Sequence, residues 1–421
     1  MAQTNLEKRV ISFTKKANKA ARQMALVPTS VKNVALKKMA KALLDKKAYL
    51  LRENAKDLKA AATQNYPKAL VDRLLLNEKR IKGMADCLLD TAKLKDPVGV
   101  TIDKFKNVDG LYISKVRATI GVVGIIYESR PNVTSDCIGL CLKSGNAVVL
   151  KGGKEAFYSN KAIFKVLKDV LKTTKIPFEA VQLIDSVDRQ AVTIMLKQYQ
   201  DIDLIIPRGG EGLIHFVADN SRIPVIKHAK GLCHTYVSNK ANLKKALDIC
   251  MNAKVQRPGV CNAMETLLVH KMIAKKFLPI VCDAMGKANV EIRGDVHTRK
   301  IIKGIKVAKS SDWDEEYLDL ILSIKVVGST DEAIDHINKH GSLHSDAIIT
   351  ENKKEADQFF AAVDSACVYL NASTRFTDGY AFGFGAEVGI STDKLHARGP
   401  MALEELTTYK YVIRGTGQIR S

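Results

Sequence analysis

The chain has 421 residues, which favours two domains with room for a small third element. Hydrophobic residues make up 46% and charged residues 26%, a balance that excludes a disordered chain, a collagen and a small disulfide-stapled domain. The formal net charge is +21, but the basic residues are spread along the chain without an RNA- or DNA-binding motif. We therefore regard a nucleic-acid partner as less favoured than either solvated lysines or a positive field that steers a small anion.

No apolar run approaches the ~18 residues of a membrane helix. The first ten residues form neither an apolar signal segment nor an arginine-rich presequence. We expect a soluble, cytoplasmic protein.

The segment 1–97 is predicted to be helical, and the segment 98–118 is predicted to form a β-hairpin. One helix is expected to begin at Thr29 or Ser30, because both residue types are favoured N-caps. Asp109-Gly110 is a strong turn signal between two β-like runs, the second of which is 111–116. The predicted apolar stripe of the helix comprises Val31, Val34, Ala35, Met39, Leu43 and Leu44.

From residue 119 onward, apolar runs alternate with helix-like segments, which is typical of parallel sheets buried on both faces. This pattern predicts an α/β fold with two lobes and a small β element. A first set of strands is predicted at 120–127, 147–150, 181–184, 203–206 and 235–237. A second set begins near residue 241, with strands at 265–270, 320–327 and 345–350, and the tail 406–415 is a further strand.

The eight cysteines form no CxxC pair, so the sequence indicates neither a zinc ribbon nor a thioredoxin-type motif. At least six of them fit free thiols that are buried as small hydrophobic residues in a reducing compartment. Cys261 differs because Pro258 and Gly259 break the preceding helix and place it on a loop before a strand. Reactive groups concentrate on such loops, and Arg257 would stabilise a thiolate.

Two glycine-rich turns are candidate phosphate sites. RGGEG (208–212) follows a predicted strand and opens a helix, where backbone N–H groups attract a phosphate, although a tight turn alone would also explain the glycines. In KGGKEA (151–156), Lys151 and Lys154 bracket the glycines where a dinucleotide site meets the adenosine ribose. Basic groups there accommodate a 2′-phosphate and favour NADP, whereas the nearby Glu155 weakens the inference and solvated lysines are the alternative.

The segment around Cys261, QRPGVCNAMETLLVH (256–270), resembles the nucleophile segment of the gamma-glutamyl phosphate reductase family, within the aldehyde dehydrogenase superfamily. Further resemblance lies, in the family's order, in GVVGIIYESRPNVTSD, LKGGKEA, DLIIPRGGEGLI and HSDAIIT, and in the block 368–411. These segments cover about 290 residues, and their combination is far more specific than a single glycine-rich loop.

The resemblance implies reduction of L-glutamyl 5-phosphate by NADPH to L-glutamate 5-semialdehyde, with release of phosphate, in proline biosynthesis. It implies an aldehyde dehydrogenase-like fold with a Rossmann-like NADP-binding domain (1–97 and 119–240) and a catalytic domain (241–402). The segments 98–118 and 403–421 would form a β oligomerisation element whose sheet extends across a homodimer or higher homo-oligomer. Association with a separate glutamate kinase is a further hypothesis, since the acyl phosphate is labile.

The family's residues carry over to individual positions of this sequence. Cys261 matches the nucleophile, and Asn132 falls where superfamily members place an oxyanion-hole amide, beside the backbone N–H of Cys261. Lys151 matches a basic contact to the adenosine ribose or phosphate, and Lys154 occupies the place of an acidic ribose ligand. The predicted cofactor-binding residues are Lys151, Gly152, Gly153, Lys154, Arg208, Gly209 and Gly210. No metal is required, because a thiolate displaces phosphate from an acyl phosphate directly.

A hydrolytic semialdehyde dehydrogenase is the alternative enzyme. Such enzymes carry a glutamate that activates water in the stretch corresponding to IKHAKGLCHTYV (226–237), and this stretch contains no carboxylate. For the substrate, Arg130, Arg375 and Arg398 are candidates for the anionic groups, because guanidinium binds them bidentately. Glu128 or Asp378 would meet the ammonium and His344 the leaving phosphate, with internal salt bridges or capped turns as the alternative roles, whereas Asp346 and Glu387 are predicted to be structural.

Overall fold

The structure is a computed structural model that describes residues 4–227 and 230–420, and it divides into two compact units. Unit 1 comprises residues 1–227, 383–389 and 401–421, and unit 2 comprises residues 228–382 and 390–400. The first boundary therefore comes earlier than the predicted one at residue 240. Within the described residues, none of the helices is both long and apolar enough to cross a membrane.

Both units are built from α-helices and β-strands. The helices are α1 Asn5–Met24, α2 Thr29–Asp45, α3 Lys47–Thr63, α4 Lys68–Leu74, α5 Glu78–Lys93, α6 Asn132–Lys143, α7 Phe157–Leu171, α8 Gln190–Met195, α9 Glu211–Asn220, α10 Leu243–Val255, α11 Lys271–Lys287, α12 Val296–Ile301, α13 Thr330–His340 and α14 Lys353–Ala362. The strands are β1 Thr101–Lys106, β2 Tyr112–Thr119, β3 Val122–Tyr127, β4 Ala147–Gly152, β5 Val181–Leu183, β6 Leu204–Arg208, β7 Cys233–Val237, β8 Met264–His270, β9 Glu291–Gly294, β10 Lys306–Val307, β11 Ile321–Val327, β12 Ser345–Ile349, β13 Cys367–Leu370, β14 Ile390–Ser391, β15 Gly399–Pro400 and β16 Thr407–Arg414.

Unit 1 contains a four-stranded parallel sheet with strand order β5-β4-β3-β6. Every residue of β3 is buried, as expected for a strand covered on both faces. The chain steps from β3 to β4 to β5 on one side, and β6 then pairs with the other side of β3. The ends of β3 and β6 therefore lie where the strand order reverses, which is a place where open α/β sheets commonly bind ligands.

The N-terminal helices of unit 1 confirm the predicted helical segment but correct its details. Thr29 is the first residue of α2 rather than its N-cap, and its hydroxyl donates to Asp96 at 2.8 Å. Ser30 also lies inside the helix. Val34 and Leu44 are exposed, contrary to the predicted stripe. The buried residues of α2 are Lys32, Ala35, Leu36, Met39, Ala40 and Leu43.

The predicted hairpin and tail strand form one antiparallel sheet in the order β1-β2-β16. Arg117 of β2 links these distant segments, because its guanidinium donates to the Glu404 carboxylate at 2.7 Å and to the Thr407 hydroxyl at 3.1 Å. The pairing of the two segments is therefore confirmed.

Unit 2 contains a seven-stranded parallel sheet in the order β10-β9-β11-β8-β7-β12-β13. Successive residues of β8 face opposite cores: Leu267 and Val269 pack with α10 and α11, whereas Leu268 packs with α13 and α14. The assignment of 235–237 to the first set of strands was wrong, since β7 pairs with β8 and β12. An apolar strand resembles any other buried strand, so its sequence does not specify which sheet it joins.

Candidate active site

Cys261 lies on the loop between α10 and β8, as predicted, and its side chain is half-buried. Six of the eight cysteines are buried, which confirms the prediction that at least six are buried thiols. The remaining cysteine besides Cys261 is Cys87, which lies on α5 and is half-buried. The backbone of Gly231 packs directly against that of Cys261. A Cβ atom added at Gly231 would lie 2.0 Å from the carbonyl oxygen of Cys261 and 2.3 Å from its Cα atom. The loop that carries Cys261 is therefore in contact with the segment that leads into β7.

Two hydrogen bonds support the contact between Cys261 and Gly231. The buried thiol of Cys233 donates to the carbonyl oxygen of Cys261 at 3.2 Å. The N–H of Gly231 donates to the carboxylate of Glu316 at 2.9 Å. The predicted carboxylate-free segment 226–237 includes His228 and Ala229, which lie outside the described residues, but Glu316 brings a carboxylate to this segment from elsewhere in the chain. No local sequence signal identified Glu316.

Arg375, one of the predicted substrate-binding residues, donates a hydrogen bond to Asn262, the residue that follows Cys261. Burial is the main cause that lowers the pKa of Arg375, with a further contribution from Arg257, while the charges of Asp378 and Cys261 oppose the shift. Its guanidinium donates to the side-chain oxygens of Asn262 and, at 2.9 Å, Gln256. A cationic group thus lies in the electrostatic environment of the thiol.

Asn262, which sequence reasoning did not single out, connects the loop that carries Cys261 to the segment that contains Arg375. Its side-chain amide nitrogen donates to the carbonyl oxygen of Thr377 at 2.8 Å, and its main-chain carbonyl oxygen accepts from the Thr374 hydroxyl at 2.8 Å. Only 5% of Asn262 is exposed. Its position next to Cys261 was the signal that could have revealed this role.

His344 and Arg398, both predicted to bind substrate, make contacts inside unit 2. His344 is fully buried, with Nδ1 2.8 Å from the hydroxyl of Ser345. Burial lowers the pKa of His344 to about 4, so the imidazole is neutral at pH 7. The guanidinium of Arg398 donates to the Asp364 carboxylate at 2.8 Å and to its carbonyl oxygen at 2.7 Å. These contacts match the internal salt bridge that was the alternative role for Arg398.

Two carboxylates of unit 2 also make internal contacts. Asp378 accepts from the backbone N–H groups of Tyr380 and Ala381, at 2.9 and 3.2 Å, and so caps a turn. Asp346 is fully buried and accepts from the backbone N–H of His234 at 2.7 Å.

In unit 1, Asn132 is the first residue of α6 and is exposed. Its amide nitrogen donates to the carboxylate of Asp136 at 2.8 Å, one turn further along the helix. Burial is the main cause that raises the pKa of Asp136, while Asn132 and the charge of Arg208 oppose the shift. Arg130, just before α6, is also exposed.

The turn 208–212 follows β6 and opens α9, as predicted, but a carboxylate of the protein is already bound there. Glu128, which follows β3, accepts from the N–H of Gly210 at 2.9 Å. A Cβ atom at Gly209 would lie 2.4 Å from the same carboxylate. The acidic side chain therefore uses a backbone donor that the sequence suggested for a phosphate.

The second turn, 151–156, follows β4 and leads into α7. Lys151 is 5% exposed and donates to the carbonyl oxygen of Gly152 at 2.8 Å, whereas Lys154 is exposed. Burial lowers the pKa of Lys151, and the charge of Glu155 opposes the shift. The Glu155 carboxylate folds back over Gly153, where an added Cβ atom would lie 2.2 Å from it. Two cations and one carboxylate therefore surround this turn.

Comparisons with known proteins agree with this architecture. The sequence model of the aldehyde dehydrogenase family matches residues 2–300. The gamma-glutamyl phosphate reductase of Nautilia profundicola is 56% identical over 406 residues, which are 96% of this chain and 98% of that protein. The enzyme of the same name from Clostridium acetobutylicum is 53% identical over 411 residues, which are 98% of each chain.

A solved structure is similar over the whole chain. The crystal structure of gamma-glutamyl phosphate reductase from Thermotoga maritima has a TM-score of 0.96 and 48% sequence identity, and the match covers 98% of this chain and 100% of that one. The chain belongs to the aldehyde dehydrogenase family, and it is an oxidoreductase with that family's α/β fold. Within the family its similarity is to the gamma-glutamyl phosphate reductases, which confirms the resemblance predicted from the motifs.

Proposed function

We propose that this chain reduces L-glutamyl 5-phosphate with NADPH to L-glutamate 5-semialdehyde and phosphate, the second step of proline biosynthesis from glutamate. The observation that carries the proposal is the setting of Cys261: a half-buried thiol on a loop, followed by Asn262, whose side-chain oxygen accepts from the guanidinium of Arg375. The names of the curated relatives support the substrate and the direction of the reaction.

In the proposed reaction, the Cys261 thiolate attacks the acyl carbon and the phosphate leaves with the electrons of the broken C–O bond. The product is a thioester, which accepts hydride more readily than a carboxylate does. Bound NADPH would supply the hydride. The resulting thiohemiacetal collapses to the aldehyde and returns the electrons of its C–S bond to Cys261. Arg375 would neutralise the anionic substrate or the departing phosphate, and Asn132 remains the proposed oxyanion donor.

The turn 151–154 fits the adenosine end of NADP. Lys151 and Lys154 offer cations for a 2′-phosphate, and the glycines 152 and 153 let the backbone approach a ligand closely. The turn 208–210 fits less well, because Glu128 accepts from the Gly210 N–H. The substitution Lys154→Ala should weaken NADPH binding about tenfold, the loss of one charge-assisted hydrogen bond, and leave NADH binding unchanged. Equal effects on both cofactors would assign Lys154 no role in the 2′-phosphate site.

The sheet β1-β2-β16 supports the proposal of a homodimer. Its strands carry apolar and aromatic side chains that are about half exposed, and an exposed edge strand is a template for pairing with another chain. These side chains are Phe105, Tyr112, Tyr409, Tyr411 and Ile413. We propose that two copies pair through this sheet in the cytoplasm, and association with a separate kinase stays a hypothesis.

The reverse reaction tests the proposed function, since the acyl phosphate itself is unstable. Purified protein is mixed with glutamate semialdehyde and NADP, with and without phosphate, and NADPH is followed by absorbance. Phosphate-dependent NADPH formation that Cys261→Ala abolishes is the expected result. NADPH formation without phosphate would instead indicate the hydrolytic alternative. An active Cys261→Ala variant would refute the cysteine mechanism.

A further inference from the structure

A fully buried ion pair joins the two ends of the loop that carries Cys261. Lys254 lies in the last turn of α10, Glu265 is the second residue of β8, and neither side chain has any exposed surface. The Lys254 Nζ atom donates to a carboxylate oxygen of Glu265 at 2.6 Å. Since α10 precedes the loop and β8 follows it, this contact fixes the distance between the points where the loop begins and ends.

The same carboxylate also binds a third segment. The other oxygen of Glu265 accepts from the backbone N–H of Leu318 at 3.2 Å. Two residues earlier, Glu316 accepts from the N–H of Gly231, whose backbone packs on Cys261. Glu265 therefore connects α10 to the segment 316–318, and this segment holds the glycine that contacts the nucleophile.

The burial of two charges has a desolvation cost that largely cancels their attraction, so such a pair adds little to stability by itself. Burial raises the pKa of Glu265 to about 7 and lowers that of Lys254, although each charge opposes the shift of the other. Well-packed apolar side chains of similar volume are often as stabilising as a buried ion pair. What apolar side chains do not provide is a directional link between three defined segments.

We propose that Lys254 and Glu265 are positioning residues that hold the loop 256–263 in the conformation in which Cys261 attacks its substrate. The inference rests on the proposed function, because it assumes that Cys261 is the nucleophile. Neither side chain meets the substrate. Their substitution should therefore reduce the rate of acylation while substrate binding stays nearly unchanged.

The decisive variant removes both charges, Lys254→Met together with Glu265→Gln, so that no unpaired ion stays buried. Its matched control is Lys32→Met with Asp96→Asn, a second buried pair with an Nζ–O distance of 2.9 Å that lies in unit 1. Three quantities are measured for each protein: kcat and KM in the reverse reaction, the rate at which iodoacetamide labels Cys261 as read by peptide mass mapping, and the melting temperature. Each kcat is calculated per folded molecule, so a destabilised variant still tests the proposal.

We expect kcat to fall about tenfold or more in the Lys254/Glu265 variant, since small displacements of a reacting group have effects of this size. Its KM should stay within about threefold of wild type, and the labelling rate of Cys261 should change, while the control keeps wild-type values. A kcat within about twofold of wild type would overturn the proposal. Cys261→Ala separates the two hypotheses: if it is active the proposed function fails, whereas if it is inactive and the paired variant has full kcat, only the positioning role fails.

Discussion

Gly231 offers a sensitive test of how Cys261, the proposed nucleophile, is held in place. A Cβ atom at this position would lie 2.0, 2.3 and 2.5 Å from the carbonyl oxygen, Cα and carbonyl carbon of Cys261. Ordinary contacts begin near 3.4 Å, so the two backbones must separate by about 1.4 Å in the substitution Gly231→Ala. No side chain can absorb this movement, because all three atoms belong to the backbone.

We predict two effects of different size. A displacement of about 1 Å at a reacting group costs about 100-fold in rate, so kcat/KM should fall by that order in Gly231→Ala. Overpacking in a filled region typically costs about 1–3 kcal/mol of unfolding free energy, which leaves a domain of ordinary stability folded. Activity should therefore be lost well before the fold.

The assay is the phosphate-dependent formation of NADPH, with urea denaturation measured in parallel. Gly259→Ala is the matched control, because Gly259 lies on the loop that carries Cys261 and an added Cβ atom there meets nothing closer than the Leu318 carbonyl oxygen at 3.5 Å. That variant should be close to wild type in both measurements. A Gly231→Ala protein with kcat/KM within about threefold of wild type would refute the argument from backbone contact.

Three further predictions concern stability and charge. Burial is the main cause that lowers the pKa of His336 to about 2, so as the pH falls the unfolded state binds a proton on this imidazole before the folded state does. The free energy of unfolding should therefore decrease below pH 6.5, by at most about 1.4 kcal/mol per pH unit. The variant His336→Phe should lose less melting temperature than wild type between pH 7 and 5, and an equal loss would contradict this prediction. Gly212→Ala should raise the free energy of unfolding by about 0.5–1 kcal/mol, because Gly212 lies inside α9 with no atom within 4 Å of an added Cβ. A melting temperature below that of wild type would contradict this predicted stabilisation. If the net charge of +21 steers an anionic substrate, kcat/KM should fall as salt rises, and a flat profile from low to physiological ionic strength would count against steering.

Most of the long buried strands were predicted from the sequence, because a short continuous apolar run is typical of a strand that is buried on both faces. Strands β3, β8 and β12 are buried along their whole length and correspond closely to the predicted runs. Strands β9 and β13 were missed because each has four residues with mixed burial, which gives no clear periodicity. Strands that are both short and of mixed burial thus left no pattern to predict, whereas the short buried β5 and the long exposed β16 were both predicted.

The position of Cys261 was also predictable, whereas the contacts that hold it were not. The loop was indicated locally by Pro258 and Gly259, which end the preceding helix. Gly231 contacts the loop from a distant part of the chain, and Glu316 in turn accepts a hydrogen bond from the N–H of Gly231. Neither interaction leaves a local pattern in the sequence. Local sequence therefore predicted the loop position of Cys261, and only the three-dimensional structure identified the residues that contact this loop.

The turn 208–212 shows why a helix N-terminus does not by itself predict a phosphate site. A glycine-rich turn before a helix attracts an anion through its N–H groups and the helix dipole, and a carboxylate of the same chain satisfies both as well as a ligand would. Here Glu128 accepts from the Gly210 N–H at 2.9 Å, and it reaches this turn because β3 and β6 are neighbours in the sheet. A phosphate could use that donor only by displacing a carboxylate that the fold already places there. At the other turn Lys154 is exposed, and this difference supports our proposal that the cofactor phosphate would bind at residues 151–154 rather than at 208–212.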